Sequence, residues 1–329
     1  MVAELGVNHD GEVGRAVELV SAAADAGADA VKLQCFRPER LLAETAELAG
    51  YQRRSESDAA AMLGRLTLSV DELAAVRDAA RSRGLSFVAT PFSLDDVADV
   101  AGLGVDAVKV ASPDVVNLPL LEAAAGLGVA MLVSTGAASL EEVAAAAVVM
   151  HRHAEPTALL QCVSAYPAAE ADASLGGIAV LAEQYRLPTG YSDHTASVAT
   201  GAVAVAAGAC VIEKHLTYNC SAAGPDHAAS LEPAAFGDYV RRVREAAAMM
   251  GPRAKRVLPC EEEVRRLCRQ SLYATRDVSA GETIARGDVA IRRPASGLPA
   301  AALSEVVGKP AQRDLVAGQA IAHDAVRWA

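Results

Sequence analysis

Two histidines, His194 and His215, each follow a short apolar run, and a small, alanine-rich stretch separates the two runs. This order predicts a strand, a helix over residues 196–208 and a second strand. Because the carboxyl ends of neighbouring parallel strands lie side by side, we expect the two imidazoles to lie close enough to bind one divalent ion. A lone histidine is more often satisfied by local hydrogen bonds, so it is the pairing that favours a metal site.

Two lysines interrupt other apolar runs, Lys32 in VKLQ and Lys109 in VKVAS. A buried ammonium group is costly unless it faces an anion or a carboxylate. A single strand lysine is more often a rim residue whose ammonium group reaches water. Two such lysines, with hydroxyl side chains at neighbouring strand ends, predict instead a site that binds a phosphate or a carboxylate.

The elements that position these residues are eight apolar runs that alternate with helical stretches. Eight such repeats in about 250 residues predict an α/β fold, a closed (β/α)8 TIM barrel. A doubly wound open sheet is the alternative, but no GxGxxG follows the first run. The predicted strands are residues 2–7, 28–34, 85–90, 105–111, 129–135, 158–163, 188–192 and 210–215, and a ninth helix is predicted over residues 234–250.

Reactive residues of a TIM barrel lie where the strands end and the following loops begin. The predicted strand ends of this chain all carry polar side chains, which makes that rim the expected site. These side chains are Glu4, Asn8, His9, Lys32, Gln34, Thr90, Lys109, Ser112, Ser134, Thr135, Gln161, Ser164, Tyr166, Ser192, Asp193, His194, Glu213, Lys214 and His215.

The character of the chain changes after Gly251. We expect a barrel domain over residues 1–250 and a linker over 251–270 that becomes a short helix at about 261–269. Residues 271–329 are predicted to form a small β-rich module of short strands and turns. A module of about 60 residues is small for independent stability, so we expect it to dock on another surface.

Composition narrows the class of protein. The 329 residues are 52% hydrophobic and carry a net charge of −11, which argues against a nucleic-acid partner or an anionic membrane surface. The six cysteines have no CxxC spacing and are expected to be reduced thiols. No secretory signal and no membrane-spanning apolar run are recognised, so a cytoplasmic protein is expected.

Several segments resemble the N-acetylneuraminate (sialic acid) synthase family, which includes the legionaminic and pseudaminic acid synthases. They are AELGVNHDG, GADAVKLQCF, FVATPFS, VKVASPDVVNLPLL, VSTG, CVSAYPA, LGGIAVL, GYSDHT, IEKHLT and GPDHAASLEP, in this order. The tail segments YATRDVSAGETI, AIRRP and VVGKP resemble the antifreeze-like (SAF) domain that ends those enzymes. The similarity covers essentially the whole chain.

The resemblance implies a metal-dependent condensation of phosphoenolpyruvate with an open-chain 2-acetamido sugar such as N-acetylmannosamine. The products are a nonulosonic acid, which is a nine-carbon 2-keto acid, and phosphate. His194 and His215 match the metal ligands of the family, which usually hold manganese, with magnesium or cobalt as alternatives. Arg293 matches an arginine that reaches from one subunit into the barrel of its partner and holds the N-acetyl group. A domain-exchanged homodimer is therefore implied.

The remaining site residues are carried over by the same resemblance. One group surrounds phosphoenolpyruvate: Lys32, Thr90, Lys109, Ser112, Ser134, Ser164 and Ser192. A second group lines the sugar and the reacting atoms, with Gln34 as a substrate contact and Glu4, Asp114, Tyr166 and Asp226 as catalytic candidates.

Residue types support this chemistry independently. An enol carbon is a weak nucleophile, so the aldehyde must be polarised, which a divalent ion on two imidazoles does. Glu4 is the candidate that positions or deprotonates the water that adds to C2. Purely structural roles remain open for four residues, since Ser112 and Ser134 can cap strand ends, Tyr166 can be a packing aromatic and Asp226 a turn residue.

The chain departs from the family pattern at several points. The family has a further stretch before AELGVNH, so we expect a truncated start or a short first strand, with Glu4 less firmly held if the start is truncated. Gln161 stands where the family commonly has histidine, Val163 replaces a hydroxyl residue, and RRPASG replaces KRPGTG around Arg293.

Other functions remain open. The acceptor is either N-acetylmannosamine or a 2,4-diacetamido-trideoxy hexose, and residues 51–69 resemble the sialic and legionaminic branches more than the pseudaminic one. A Schiff-base aldolase using Lys32 or Lys109 would need no metal. A zinc amidohydrolase is disfavoured because His9 lacks a His-x-His partner. A non-catalytic sugar-binding barrel is the remaining alternative.

Overall fold

The computed structural model describes residues 1–50, 52–54 and 57–328. The chain divides into two compact units, Met1–Gly251 and Pro252–Ala329. The linker expected over residues 251–270 therefore lies almost wholly within the second unit. Part of the segment 51–69, namely Tyr51, Ser55 and Glu56, lies outside the described residues.

The first unit is a closed barrel of eight parallel strands in sequence order, with β1 paired to both β2 and β8. This architecture confirms the predicted TIM barrel. The strands are β1 Val2–Glu4, β2 Ala30–Cys35, β3 Ser86–Pro91, β4 Ala107–Val110, β5 Ala130–Ser134, β6 Thr157–Cys162, β7 Thr189–Asp193 and β8 Ile212–His215.

In the part of this unit that the structure describes, ten α-helices follow or connect the strands, and α1, α4 to α8 and α10 form most of its helical layer. They are α1 Val13–Asp25, α2 Pro38–Leu41, α3 Ala59–Leu66, α4 Val70–Ser82, α5 Leu94–Leu103, α6 Leu118–Ala125, α7 Leu140–Arg152, α8 Gly177–Tyr185, α9 Thr200–Ala206 and α10 Pro233–Met250. Helices α2 and α3 belong to an excursion between β2 and α4. Within the described residues, no helix is both long enough and apolar enough to cross a membrane.

Several elements are shorter than the apolar pattern predicts, and β1 and α9 show a local reason for it. Strand β1 ends at Glu4 because the chain turns there, and the Asn8 amide donates to the Leu5 carbonyl. Helix α9 covers only part of the predicted 196–208 stretch. The Ser197 amide donates to the Thr195 hydroxyl, so a side chain offers the backbone a partner that competes with the helix.

Side chains alternate between the two faces of each barrel strand, and this alternation positions the site. On β1 and β2, Ala3 and Val31 pack in the hydrophobic layer beneath the helices. Their neighbours Glu4 and Lys32 are instead paired with each other. Because the alternation has a period of two, one short strand supplies both an apolar contact to the helices and a polar group to the barrel interior.

The second unit has its own hydrophobic core, which includes Leu272, Ile284 and Val306. Its elements are α11 Glu262–Cys268, β9 Ser271–Ala274, β10 Val289–Arg292 and α12 Leu303–Val306. Strands β9 and β10 pair in the antiparallel sense. Short strands and turns of this kind agree with the predicted β-rich module.

Candidate active site

A cavity of about 580 Å3 opens at the carboxyl end of the barrel strands. Twelve residues predicted from the sequence line it together, although they come from all parts of the first unit. They are Lys32, Gln34, Thr90, Lys109, Ser112, Asp114, Ser134, Tyr166, Ser192, His194, His215 and Asp226.

Three predicted site residues do not line this cavity. Glu4 is completely buried next to Lys32. Ser164 is exposed, and its hydroxyl lies beside Gly136, where an added Cβ would come within 2.4 Å of it. Arg293 belongs to the second unit, where it directly follows β10 and is exposed.

The inner wall of the cavity is a buried network of charges around Glu213. Oε2 of Glu213 lies 3.6 Å from Nζ of Lys32, and Oε1 lies 3.7 Å from Nζ of Lys109. Ser192 donates a hydrogen bond of 2.8 Å to the same carboxylate. Burial opposes ionisation, but the two ammonium groups outweigh it and lower the pKa of Glu213 to about 2. Glu213 is therefore an ionised counter-ion that holds both lysines at the cavity.

Glu213 is among the polar strand-end residues expected at the rim, but the sequence indicates no specific role for it. A signal was present, because Glu213 lies two residues before His215 on the same strand and so faces the same side. The two lysines that it pairs with come from β2 and β4, and only the closed barrel brings those strands to β8.

Glu4 and Lys32 form a second pair in this network. Nζ of Lys32 lies 2.8 Å from Oε2 of Glu4, and Gln34 donates to Oε1 at 3.2 Å. Complete burial raises the pKa of Glu4 to about 7 despite the opposing effect of Lys32. Burial also disfavours the charge of Lys32, but Glu213 and Glu4 together raise its pKa. Lys109 has less compensation, so burial lowers its pKa.

His194 and His215 lie side by side, with ring centroids 5.4 Å apart. Nδ1 of His194 lies 2.8 Å from the Val163 carbonyl oxygen, which orients the ring and leaves Nε2 available. Because this contact uses the backbone of Val163, the unusual side chain there does not remove it. The Tyr166 ring packs on His194 at 4.1 Å between centroids.

The surroundings of His215 fit a metal ligand. Its Nδ1 is buried and makes no hydrogen bond within the described residues. Oδ2 of Asp226 lies 3.7 Å from this nitrogen, beyond hydrogen-bond distance. A buried imidazole nitrogen without a partner costs free energy, whereas a bound cation would satisfy it. The two imidazoles and the nearby carboxylate are thus a suitable donor set for a divalent ion.

The hydroxyl side chains of the cavity differ in whether they already have a hydrogen-bond partner. Ser112 accepts a hydrogen bond of 3.0 Å from the Gly136 amide, so it does have the structural role left open above. The hydroxyl of Ser134 is buried and has no partner within the described part of the chain. Thr90 accepts from Lys32 at 3.4 Å. Ser134 is therefore the hydroxyl most in need of a ligand oxygen.

The excursion between β2 and α4 contributes mostly apolar side chains to the cavity lining, together with Glu47 and Gln52. Most of the apolar lining residues belong to this excursion, and several of them form a small hydrophobic cluster separate from the barrel core. These apolar lining residues are Val7, Phe36, Leu41, Leu42, Met62, Leu63, Leu66 and Phe92. We call this set the apolar wall.

Another group of ligand-type side chains, Cys35, Asp96 and Asp99, lies on β2 and α5. Nη1 of Arg40 is 2.7 Å from a carboxylate oxygen of each aspartate, so a guanidinium already neutralises them. Burial, with the two aspartates adding to it, raises the pKa of the Cys35 thiol to about 12. A thiol that remains protonated is a poor metal ligand, so this group does not compete with the histidine pair.

Comparisons with known proteins agree with the geometry. The sequence profile of the NeuB family matches residues 19–255, and that of the SAF domain matches residues 269–327. The N,N'-diacetyllegionaminic acid synthase of Legionella pneumophila is 36% identical over 326 residues, which cover 97% of this chain and 92% of the relative. The N-acetylneuraminate-9-phosphate synthase of Mus musculus is 31% identical over 86% of this chain and 80% of its own length.

A solved structure is also similar. The N-acetylneuraminic acid (sialic acid) synthetase of Leptospira borgpetersenii, crystallised with citrate, superposes with a TM-score of 0.73 at 32% identity. The match covers 80% of this chain and 88% of that one.

Proposed function

The chain belongs to the NeuB family, and from this premise we propose that it is a nonulosonic acid synthase that condenses phosphoenolpyruvate with a 2-acetamido sugar. The observation that carries the proposal is one cavity that holds a histidine pair and two lysines. In the reaction, C3 of phosphoenolpyruvate bonds to the aldehyde carbon and water adds to C2. The bond between C2 and the phosphate oxygen then breaks, so one phosphate leaves for each product formed.

Phosphoenolpyruvate carries a phosphate and a carboxylate, and we assign both to the side of the cavity that is rich in lysine and serine. Lys32 and Lys109 supply the positive charge, since Glu213 holds both ammonium groups there. Thr90, Ser112, Ser134, Ser164 and Ser192 are the proposed hydroxyl partners. Ser164 lies outside the cavity lining, so its assignment depends on the resemblance alone.

His194 and His215 are the proposed metal ligands, and Asp226 places a carboxylate oxygen 3.7 Å from Nδ1 of His215. A divalent ion there, for which we propose manganese with magnesium or cobalt as alternatives, supplies a Lewis acid that polarises the aldehyde. Tyr166 packs on His194 and so restricts its rotation. Asp114 and Gln34 line the cavity and are the proposed contacts to the sugar.

Glu4 is the proposed group that orients or deprotonates the attacking water. Its pKa of about 7 allows proton exchange at neutral pH. Its carboxylate pairs with the Lys32 ammonium group and accepts a hydrogen bond from the Gln34 amide, and these two side chains line the cavity. We therefore propose that Glu4 acts on the attacking water indirectly, through the N–H groups of Lys32 and Gln34.

Within this class of acceptor, the apolar wall favours a sugar with methyl groups in place of hydroxyls. A hydroxyl buried against such side chains would lose its hydrogen bonds to water, whereas a methyl group gains from burial. A 2,4-diacetamido-trideoxy hexose offers more methyl groups than N-acetylmannosamine. The Legionella relative, a diacetyllegionaminic acid synthase, agrees with this preference.

We also propose a domain-exchanged homodimer in which Arg293 of one copy enters the cavity of the other. The proposal depends on the family resemblance and on the position of Arg293, which is exposed at the end of β10. A guanidinium donates well to an amide carbonyl, which suits the N-acetyl group of the acceptor.

The decisive experiment mixes the purified protein with phosphoenolpyruvate and a panel of aldoses, with manganese or with EDTA. Phosphate release and product mass are measured together. The expected result is manganese-dependent release with one acceptor and a product mass equal to sugar plus pyruvate. Release without any sugar would overturn the condensation. Trapping of Lys109 by borohydride in the presence of substrate would instead support an aldolase.

A further inference from the structure

The two proposed metal ligands each follow a buried charged residue, and these two residues pair with each other. Asp193 precedes His194 at the end of β7, and Lys214 precedes His215 in β8. Asp193 and Lys214 are direct partners in the strand register, and both are 0% exposed. Because side chains alternate along a strand, they face the helical layer while the histidines face the cavity.

Both carboxylate oxygens of Asp193 accept hydrogen bonds, one from the backbone next to His194 and the other from the helical layer. Its Oδ1 accepts a hydrogen bond of 2.8 Å from the Thr195 amide, which folds the chain around His194. Its Oδ2 accepts from the hydroxyls of Thr200 on α9 and of Tyr239 on α10, the latter at 2.8 Å. The carboxylate thus ties the backbone at His194 to two helices.

Lys214 links the two histidine-bearing strand ends directly. Its Nζ donates to the Thr195 carbonyl and lies 3.5 Å from the Asp193 carbonyl. These carbonyls stand on either side of His194. Nζ also lies 3.6 Å from Oδ1 of Asp193. The residue before His215 therefore holds the backbone on both sides of His194.

A buried ion pair adds little to stability, because desolvation of the two charges offsets most of their attraction. An apolar pair of similar volume could fill the same space between barrel and helices. What an apolar pair could not provide is the set of directional bonds to the backbone around His194. We therefore explain the contacts of Asp193 and Lys214 by their effect on the position of the backbone around His194, not by a contribution to the stability of the fold.

We propose that Lys214 and Asp193 are positioning residues that fix the separation of His194 and His215 and thereby set the affinity of the pair for a divalent cation. This inference rests on the proposed function for the metal site itself. Groups that orient metal ligands from behind typically change metal affinity by about 10- to 100-fold when removed.

The test is manganese binding by full-length Lys214→Met, measured from the electron paramagnetic resonance signal of free Mn2+. We expect the dissociation constant to rise about 10-fold or more. At saturating manganese, kcat should recover and the KM for phosphoenolpyruvate should stay unchanged, because Lys32, Lys109 and Glu213 are untouched. A folded Lys214→Met protein that binds manganese within about twofold of the parent would overturn the proposal.

A double variant, Asp193→Asn with Lys214→Met, separates charge balance from positioning. It contains no unpaired charge but still lacks the bonds from Nζ to the carbonyls around His194. We expect its manganese affinity to stay as weak as that of Lys214→Met. Recovery of the parent affinity would show that charge balance alone matters and would overturn the proposal.

A milder pair of variants covers the case in which Lys214→Met fails to fold. Tyr239→Phe removes one hydroxyl from Asp193 and should weaken manganese binding about fivefold, as expected for one hydrogen bond. Tyr185→Phe is the matched control, because the Tyr185 hydroxyl donates to the Leu140 carbonyl, away from the histidines. Equal affinities in the two variants would overturn the positioning role. A parent that binds no manganese would overturn the proposed metal site as well.

Discussion

Glu4 and Lys32 pair on adjacent strands, with Nζ of Lys32 2.8 Å from Oε2 of Glu4, and only Lys32 of the two lines the cavity. The carboxyl is completely buried, and its pKa is raised to about 7. A charged lysine therefore stands beside a carboxyl group that changes its charge near neutral pH. This relationship makes the pH dependence of the enzyme informative.

The first prediction concerns Glu4→Gln. If ionised Glu4 orients or deprotonates water, kcat/KM of the parent should rise with pH through about 7, and the variant should lose this rise. We expect the activity of Glu4→Gln to fall by about 10²- to 10⁴-fold at pH 8. The measurement is a pH profile of phosphate release. A variant that keeps the parent's profile would remove Glu4 from the mechanism.

The same pKa gives the sign of a stability effect. The pKa of Glu4 in the folded protein lies above the ordinary value of 4.5, so its contribution to stability is full below pH 4.5 and is lost as pH rises through about 7. The parent should therefore lose stability relative to Glu4→Gln between pH 5 and pH 8. Thermal unfolding of both proteins across this range measures the difference. A difference that does not change with pH would contradict the raised pKa.

The second prediction concerns metal removal. EDTA should abolish activity, and added manganese should restore it. His194→Ala and His215→Ala should each lose bound manganese, because a single imidazole leaves too few protein donors for tight binding. His153→Ala is the matched control, since its ring contacts the Val129 carbonyl at 2.7 Å and does not line the cavity. Retention of manganese by both active-site variants would favour a sugar-binding barrel without this metal site.

The third prediction concerns the apolar wall. Leu63→Ser places a hydroxyl in that wall and should lower the preference for a diacetamido-trideoxy acceptor over N-acetylmannosamine by about 10-fold. Ratios of kcat/KM for the two acceptors measure the change. Leu94→Ser is the control, because Leu94 is an exposed leucine on α5 outside the cavity. A parent that prefers N-acetylmannosamine would contradict this assignment of the acceptor and leave the reaction class intact.

The fourth prediction concerns Arg293. Co-expressed His194→Ala and Arg293→Ala chains should form mixed dimers with activity, although each variant alone is inactive. The reason is that one barrel of the mixed dimer retains its histidines and receives an intact Arg293 from the other copy. Restored phosphate release in isolated mixed dimers is the expected observation. Mixed dimers that remain inactive would show that Arg293 does not act across subunits.

The sequence was most informative where strand periodicity and strand ends determine the outcome. His194, His215, Lys32 and Lys109 could be placed at one rim because each ends or interrupts an apolar run, and parallel strands end together. The closed barrel indeed brings these four residues into one cavity. The central position of Glu213 between two lysines was not predictable in the same way, because it depends on three strands that are distant in the chain.

Two further features could not be predicted from the pattern of apolar residues: the length of α9, and the positions of Ser164 and Arg293. The alanine-rich stretch after His194 predicts a longer helix than α9. The observed helix is shorter because the hydroxyls of Thr195 and Ser197 accept hydrogen bonds from backbone amides just before it. The roles of Ser164 and Arg293 depend on the family resemblance. The first lies outside the cavity lining, and the second belongs to the other unit.

The difference between the two parts of the cavity lining has a consequence for evolution. The groups proposed to bind phosphate and metal lie on barrel strands or directly after them, where each residue also affects the packing of its neighbours. The apolar wall belongs to a small cluster on the excursion after β2, which includes Phe36, Leu48 and Met62. Mutations there leave the strands intact, so new acceptors can be acquired while the bond-forming chemistry is inherited unchanged. Directed evolution of acceptor range should therefore concentrate its diversity in this excursion.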